Sequence, residues 1–221
     1  LVNIVLLMAG AGSRFAGSNN DKPKPLIEIE GKPMYQHALE SLGIKGKVIA
    51  ISRFRISDDN YVVIDTNKVL DGPALSALLA KDYINNNEEL IIMNSDQIVN
   101  WNPSEIARAQ PYDGALLLFK AQGNRWSFAK VLGNRIVKVA EKDPISEDAL
   151  VGIHYWKRGK DFVRYAEEMI ASNDRVNGEF YIAPVYDYAI RDGLHIVPIH
   201  VDRMIDLGTP EALDKYLSSK L

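Results

Sequence analysis

No cysteine occurs among the 221 residues. Disulfides, thiolate metal sites and cysteine nucleophiles are therefore excluded, and the absence suits the cytoplasm. Long apolar runs are missing too: none approaches the roughly 18 residues that a membrane-spanning helix needs. The N-terminus lacks a basic segment before an apolar core, and Asn3 interrupts "LVNIVLLM", so this start reads as a buried strand rather than a signal peptide. There is little net charge. Lys and Arg number 26 against 29 Asp and Glu, leaving −3 and a pI near 5.9. No nucleic-acid or membrane partner is expected, although a local basic site stays possible. Only four histidines occur, and His37, His154, His195 and His200 show no close metal-ligand spacing, which predicts core or surface roles for them. Trp101, Trp126 and Trp156 are expected to pack rather than to stack on a base. Repeats, low-complexity tracts and clear linkers are absent as well.

What is present has the balance of a soluble globular protein, 47% hydrophobic and 25% charged. "VNIVLLMA" is a near-continuous apolar run ending in glycine, the pattern of a central parallel strand buried on both faces. Pro33 stands where a helix can start, "MYQHALESL" follows with helical spacing, and Gly43 closes it. "KVIAIS" and "YVVID" read as strands, "ALSALLAKDYI" as a helix and "ELIIMNSDQ" as a strand with a polar end. This order predicts an α/β arrangement with a largely parallel sheet. In the second half "DGALLLFKA", "SFAKVLG", "NRIVKVAEK" and "VGIHYWK" are strands with short turns between them, one carrying Gly133-Asn134. Short turns require antiparallel pairing, since a parallel crossover takes about a dozen residues or more. Helices are expected over 159–172 and 180–191, then the strand "HIVPIHV" and a terminal helix from Pro210.

The stretch "LLMAGAGSRFAGSNNDKPKPLIEI" carries the functional question. A dinucleotide fingerprint beginning at Gly10 and Gly12 fails, because its third glycine falls on Phe15. A phosphate-binding P-loop laid on Gly12 to Gly17 fails as well, because Ser18 and Asn19 replace its lysine and hydroxyl residue. Phosphate remains the favoured ligand class. Glycines after a buried strand let backbone N–H groups approach an anion, and Arg14 adds a charged fork. A plain strand-ending turn with a surface arginine is the competing reading. Ser13 lacks the nucleophile-elbow pattern, so no serine hydrolase is implied.

"MAGAGSRF…KPKPLIEIEGKPM" resembles the signature of the sugar-phosphate nucleotidyltransferases, the pyrophosphorylase group: a G-x-G-[ST]-R loop followed by P-K-P-L and G-K-P-M. "DGPALSALL" is similar to the family's G-x-A segment, "NSDQ" stands where the family has a metal-binding Asp, "AEKDP" resembles its E-K-P, and "IDLGTPEAL" its D-x-G-T-P-E-x-L. The blocks run in family order from residue 8 to 213. "NSDQ" departs from the commoner G-D-N form. Taken with "RWSFAK", "EKDPIS" and "VNGEFYIAPVYD", it looks most like a short branch associated with capsule and surface-polysaccharide clusters, which includes cytidylyltransferases.

The resemblance implies one GT-A-like, Rossmann-related domain over 1–221, with a parallel N-terminal half and antiparallel insertions. Residues up to about 112 would bind the nucleotide; those from about 113 would bind the acceptor and supply a second metal ligand. Attack of a phosphate oxygen on the α-phosphorus of a nucleoside triphosphate would release pyrophosphate. Asp96 and Asp206 would bind Mg²⁺, against the simpler roles of loop cap and helix N-cap. Arg14 would hold the β/γ-phosphates and Lys24 would reach the α-phosphate or the attacking phosphate. Lys142 would meet the acceptor phosphate and Glu141 an acceptor hydroxyl, where a solvated strand end is the plainer alternative. Ala9, Gly10, Ala11, Gly12, Ser13 and Ser95 would lie along the nucleotide, and Gly72 against its base. Gly152, Asn177 and Glu179 are acceptor-side candidates, with a helix cap the competing role for Asn177.

The expected partners are a nucleoside triphosphate (CTP, UTP or dTTP) and a small phosphorylated acceptor, first a sugar 1-phosphate. A non-sugar phosphate of the phosphoglutamine or phosphocholine type is the close second. A GT-A glycosyltransferase and a non-catalytic nucleotide-binding protein are the rival classes. The chain stops about one helix after Asp206, short of the β-helix domain of acetyltransferase-fused relatives, so no second activity is expected. Oligomeric state is not legible here.

Overall fold

A computed structural model describes residues 1–15, 22–56 and 58–219. In chain order the elements are β1 (Asn3–Leu7), β2 (Glu28–Ile29), β3 (Lys32–Pro33), α1 (Met34–Leu42), β4 (Lys47–Ser52), β5 (Tyr61–Asp65), α2 (Pro73–Leu78), α3 (Lys81–Ile84), β6 (Leu90–Asn94) and β7 (Gln97–Asn100). There follow α4 (Ile106–Ala109), β8 (Gly114–Lys120), β9 (Ser127–Leu132), β10 (Arg135–Glu141), β11 (Asp148–Trp156), α5 (Gly159–Ala171), α6 (Ala183–Arg191), β12 (Ile196–His200), β13 (Arg203–Asp206) and α7 (Pro210–Ser218). Among these residues no helix is long and apolar enough to cross a membrane.

The apolar run at the N-terminus becomes β1 because it is flanked on both edges, lying parallel to β4 on one side and β6 on the other. With helices above and below, both faces of β1 must be apolar. Val5 packs with Ile49, Ile92 and the inward residues of α2, α3, α5 and α6. Ile4 and Leu6 pack on the opposite face with Ile91, Met93 and the α1 residues Tyr35, Ala38 and Leu42. The sheet has nine strands: β10-β9-β11-β6-β1-β4-β5 along one path, with β8 on β11 and β12 on β8. Three of its parallel pairs, β6–β1, β1–β4 and β4–β5, lie together around β1, a fourth joins β12 to β8, and β11 joins antiparallel to both β6 and β8. The mixed α/β architecture expected from the sequence is therefore present, with the parallel half first and the β9–β10 hairpin turning at Gly133. Gly43 ends α1 in the left-handed conformation, which a residue without Cβ adopts at no steric cost.

Four features depart from the sequence expectation. The helix expected over "ALSALLAKDYI" is broken into α2 and α3, with Leu79 and Ala80 bonding three residues back in a tightened turn. The helix expected from residue 180 begins at Ala183, because Phe180 is committed to another partner: its N–H donates to the Asp71 carbonyl and its carbonyl accepts from Ala74 N–H. β4 and β5 pair in parallel although only residues 53–60 join them, fewer than a helical crossover uses. Finally, two small sheets lie apart from the main one, the β2–β3 hairpin and the antiparallel pair β7–β13.

A third apolar cluster lies beneath these small sheets. Phe15, Ile27, Ile29, Met34, Leu207 and Leu213 pack together. They come from the glycine loop, the segment after Lys24, the hairpin, α1, the turn after Asp206 and α7. One buried nucleus thus holds the three chain segments that present Arg14, Lys24 and Asp206.

Candidate active site

The C-terminal ends of β1, β4 and β6 open onto a cavity of about 390 Å³. Open α/β sheets bind ligands at this end because loops leaving the strands diverge there. Ala9, Gly10, Ala11, Gly12 and Arg14 line it, with Lys24 between its two prolines, Gly72, Ser95 and Asp96. A second cavity of about 220 Å³ adjoins it, lined among others by Ser127, Glu141, Lys142, Gly152, His154 and Asp206. Arg14, Pro73, Asn94, Asp96 and Tyr181 line both. The two spaces therefore meet at a cation, a carboxylate and a phenol.

Asp96 follows β6 in the turn to β7, and its carboxylate accepts from the Lys24 ammonium. Asp206 is far off in sequence but adjacent in space, because β13 pairs with β7 so that Asp206 stands opposite Gln97. The Leu207 N–H donates to the Asp96 carbonyl at 2.9 Å, locking this register. Asp206 does not cap α7. That role belongs to Thr209, whose hydroxyl accepts from Ala212 N–H at 3.2 Å. Asp206 is thereby left to face the site, where it accepts from Gly208 N–H at 2.9 Å and pairs with the Arg125 guanidinium. A Cβ on Gly208 would come within 2.7 Å of Asp206 Oδ1, 3.3 Å of Asp96 Oδ2 and 3.6 Å of Arg14 Nη1. Both carboxylates and the guanidinium thus converge on one point that only a glycine leaves free.

On the second cavity's wall, Lys142 has a left-handed backbone (φ 56°) and donates to the Tyr181 hydroxyl at 2.5 Å. Burial, with Glu179 and Glu141 nearby, pushes the Tyr181 phenol well above its ordinary range, so it stays a protonated hydrogen-bonding group. Glu141 accepts from the Ser127 hydroxyl across the β9–β10 pair. Burial raises its pKa above the ordinary carboxylate value, against the opposing effects of Ser127 and Lys142. Gly152 lies where β11 slips register against β8, in a bulge between Leu150 and His154. Its N–H donates to Gln97 Oε1 at 2.6 Å, and a Cβ there would strike the Asn94 amide at 2.2 Å.

The sequence candidates are mostly gathered here, with exceptions. Ser13 begins a 3-10 turn and lines neither cavity. Asn177 lies with Gly178 in a tight turn bridging Val176 to Glu179 and lines neither cavity; it caps no helix, since α6 starts later. Glu179, an acceptor-side candidate, lines the first cavity and not the second, because its turn leans on the Gly72 loop through Phe180. Gly17, Ser18 and Asn19, on which the rejected P-loop alignment turned, lie outside the described residues.

Sequence reasoning missed Tyr181, Arg53, Arg125, Gln97 and Gly208. Tyr181 falls in the first turn of the helix that the sequence predicts over 180–191. Arg53, which donates to the Gly10 carbonyl at 3.1 Å, and Arg125, whose guanidinium lies 4.4 Å from the Trp126 ring centroid, carried no motif. Gly208 stood in plain view inside "IDLGTPEAL".

This geometry agrees with what the chain is similar to. Residues 4–149 match the model of the MobA-like NTP transferase domain. A UTP–glucose-1-phosphate uridylyltransferase from Haloferax volcanii is 27% identical over 96% of this chain and 93% of its own length. The bifunctional protein GlmU of Methanocaldococcus jannaschii is 26% identical over 76% of this chain, which spans 42% of that protein. Among solved structures, the nucleoside-diphosphate-sugar pyrophosphorylase of Vibrio cholerae RC9 superposes with a TM-score of 0.84 at 26% identity, covering 97% of this chain and 99% of that one. With the family model matched over residues 4–149, and the fold shared over nearly its whole length with the Vibrio cholerae enzyme, the chain is a nucleotidyltransferase that belongs to the MobA-like NTP transferase domain family.

Proposed function

We propose that the protein transfers a nucleoside monophosphate from a pyrimidine nucleoside triphosphate to a sugar 1-phosphate, releasing pyrophosphate and supplying an activated precursor for surface polysaccharide. The observation that carries this reading is the meeting of two cavities at Arg14 and Asp96, so that two phosphorylated ligands can face each other across one charged junction. The full-length similarity to a glucose-1-phosphate uridylyltransferase supports the acceptor class. The family match favours pyrophosphate release over the nucleoside diphosphate release of a glycosyltransferase.

In this reading the triphosphate lies along Ala9–Gly12, with Arg14 on its outer phosphates and Lys24 at the α-phosphate. Gly72 gives the base a flat backbone surface. The acceptor occupies the second cavity, its phosphate drawn to Lys142 and a hydroxyl to Glu141. An acceptor phosphate oxygen forms the new bond to the α-phosphorus, and the bond from that phosphorus to the bridging oxygen breaks, pyrophosphate leaving with the electron pair. Charge rises on the phosphoryl oxygens in the transition state, so fixed cations at the junction lower the barrier.

No group of three or more His, Asp or Glu side chains among the described residues could hold a metal by itself. Two carboxylates completed by phosphate oxygens are, however, the set that Mg²⁺ takes with a nucleotide, and Asp96 and Asp206 converge as such a pair. When bound there, the ion would supply charge neutralisation to the phosphate oxygens.

The test is pyrophosphate release with Mg²⁺ across CTP, UTP, dTTP, ATP and GTP against sugar 1-phosphates, phosphocholine and phosphoglutamine. Turnover with one pyrimidine nucleotide and a sugar 1-phosphate is expected, and Asp96→Ala should lower kcat by about 10²–10³-fold or more, the scale of losing a charge-stabilising group. Asp96→Ala at the wild-type rate would refute the metal assignment; release of nucleoside diphosphate from a nucleotide sugar would refute the reaction.

A further inference from the structure

The second cavity contains a polar side chain that the protein leaves unsatisfied. His154 follows the β11 bulge, lines the cavity and is only 6% exposed. Its Nδ1 is closed to solvent and meets no hydrogen-bond partner. The Tyr186 ring lies beside it, centroids 6.0 Å apart, with the hydroxyl proton donated to the Tyr155 carbonyl at 2.9 Å and no bond made to His154.

A buried, unpartnered nitrogen costs stability that phenylalanine or leucine in the same space would not. Packing alone therefore gives no reason for a histidine here. Burial holds the imidazole neutral, its pKa pulled down to about 3. A neutral imidazole carries one donor and one acceptor nitrogen. Whichever of the two meets a ligand, a hydroxyl can answer it, because a hydroxyl both donates and accepts. A phosphate could use only the N–H of the pair, and the cations Arg14 and Lys142 on the same wall are the stronger partners for it. A quaternary ammonium can neither donate nor accept.

We propose that His154 is a specificity-determining residue that hydrogen-bonds a hydroxyl of the phosphorylated acceptor, which makes that acceptor a sugar or polyol phosphate. This rests on the nucleotidyltransferase reading of the site and adds the chemistry by which the acceptor is chosen.

The experiment measures pyrophosphate release by wild type, His154→Phe and His154→Gln. The probes are glucose 1-phosphate, its 2-, 3-, 4- and 6-deoxy analogues, phosphocholine and phosphoglutamine. In wild type, one deoxy analogue should lose about 10–100-fold in kcat/KM, the usual penalty for leaving a buried polar group unpaired. His154→Phe should raise the KM for glucose 1-phosphate by a similar factor, leave the KM for the nucleotide within about twofold, and abolish discrimination against that one analogue. His154→Gln should restore part of it, which a purely structural role would not predict, and this variant carries the test if the phenylalanine form does not fold. Unchanged acceptor KM and unchanged deoxy pattern in both variants would overturn this inference and leave the function standing. Turnover of phosphocholine or phosphoglutamine alone would overturn it together with the sugar 1-phosphate acceptor of the proposed function, leaving the nucleotidyl transfer itself standing. A wild type that releases pyrophosphate with no acceptor would overturn both.

Discussion

At the scale of the residue, what matters is where charge is allowed to be. Asp96 and Asp206 each meet a cation, Lys24 and Arg125 respectively, and the carboxylates converge only because Gly208 carries no side chain. His154 is the opposite case, a titratable group that its surroundings keep neutral. Its folded pKa lies near 3, below the ordinary 6.5 of the unfolded chain. Above pH 6.5 neither state binds the proton and the group has no effect on stability. As pH falls from about 6.5 toward 3, the unfolded chain takes up a proton that the fold refuses, so the fold is progressively destabilised. Wild type should therefore lose about 1.4 kcal/mol per pH unit more than His154→Phe over this window, read from urea unfolding at several pH values. Parallel curves for the two proteins would show that the imidazole is not held neutral. Glu141 acts with the opposite sign, since its pKa is raised: between 4.5 and its folded value the fold keeps a proton that the unfolded chain has released, and stability falls as pH rises. Comparing the two proteins removes that contribution, because both retain Glu141.

At the scale of the element, the site depends on short segments clamped to one another. The Gly72 loop and the Phe180 segment are joined by a pair of backbone hydrogen bonds, Phe180 N–H to Asp71 at 2.8 Å and Ala74 N–H to Phe180 at 3.0 Å. Gly72 adopts φ 114°, a conformation strained for any residue with a Cβ, and such an atom would lie 2.4 Å from the Phe180 carbonyl oxygen. Gly72→Ala should cost about 3 kcal/mol or more in unfolding free energy and weaken nucleotide binding, because it parts the wall of the first cavity. Gly133→Ala provides the contrast. It is also a positive-φ glycine but has open space around it, so about 1 kcal/mol is expected. Equal costs for the two would show that the clamp is not under steric control. The β11 bulge works in the same manner, placing Gly152 where the Asn94 and Gln97 side chains need the room.

At the scale of the whole molecule, a rigid sheet carries a more loosely attached site. β1 and β6 are flanked on both edges and covered on both faces, whereas β13 pairs with β7 alone. Regions with few neighbours open at lower free energy than the core. Hydrogen exchange should therefore show β1 and β6 amides exchanging only through global unfolding and β7–β13 amides exchanging through a smaller opening. Addition of Mg²⁺ and the preferred nucleotide should slow the second set, because the ligand would tie Asp96 to Asp206. Protection of β13 equal to that of β1 in the free protein would contradict this division.

The sequence by itself determined the class of architecture and the family. Near-continuous apolar runs of strand length ending in glycine have the pattern of strands buried on both faces, Gly133-Asn134 between two such segments has that of a hairpin turn, and Arg14, Lys24, Asp96 and Asp206 stand in motifs that resemble those of phosphate chemistry. Only the tertiary structure decided the rest. β13 is too short for its periodicity to be read, and its register against β7, which brings Asp206 beside Asp96, depends on pairing between segments remote in the chain. Tyr181 read as helix because the hydrogen bonds that hold Phe180 out of α6 go to the Gly72 loop, a partner no local pattern contains. The meaning of His154 was hidden for the same physical reason. A lone histidine in an apolar strand looks like core until the fold shows that one of its nitrogens is left without a partner at the wall of a cavity.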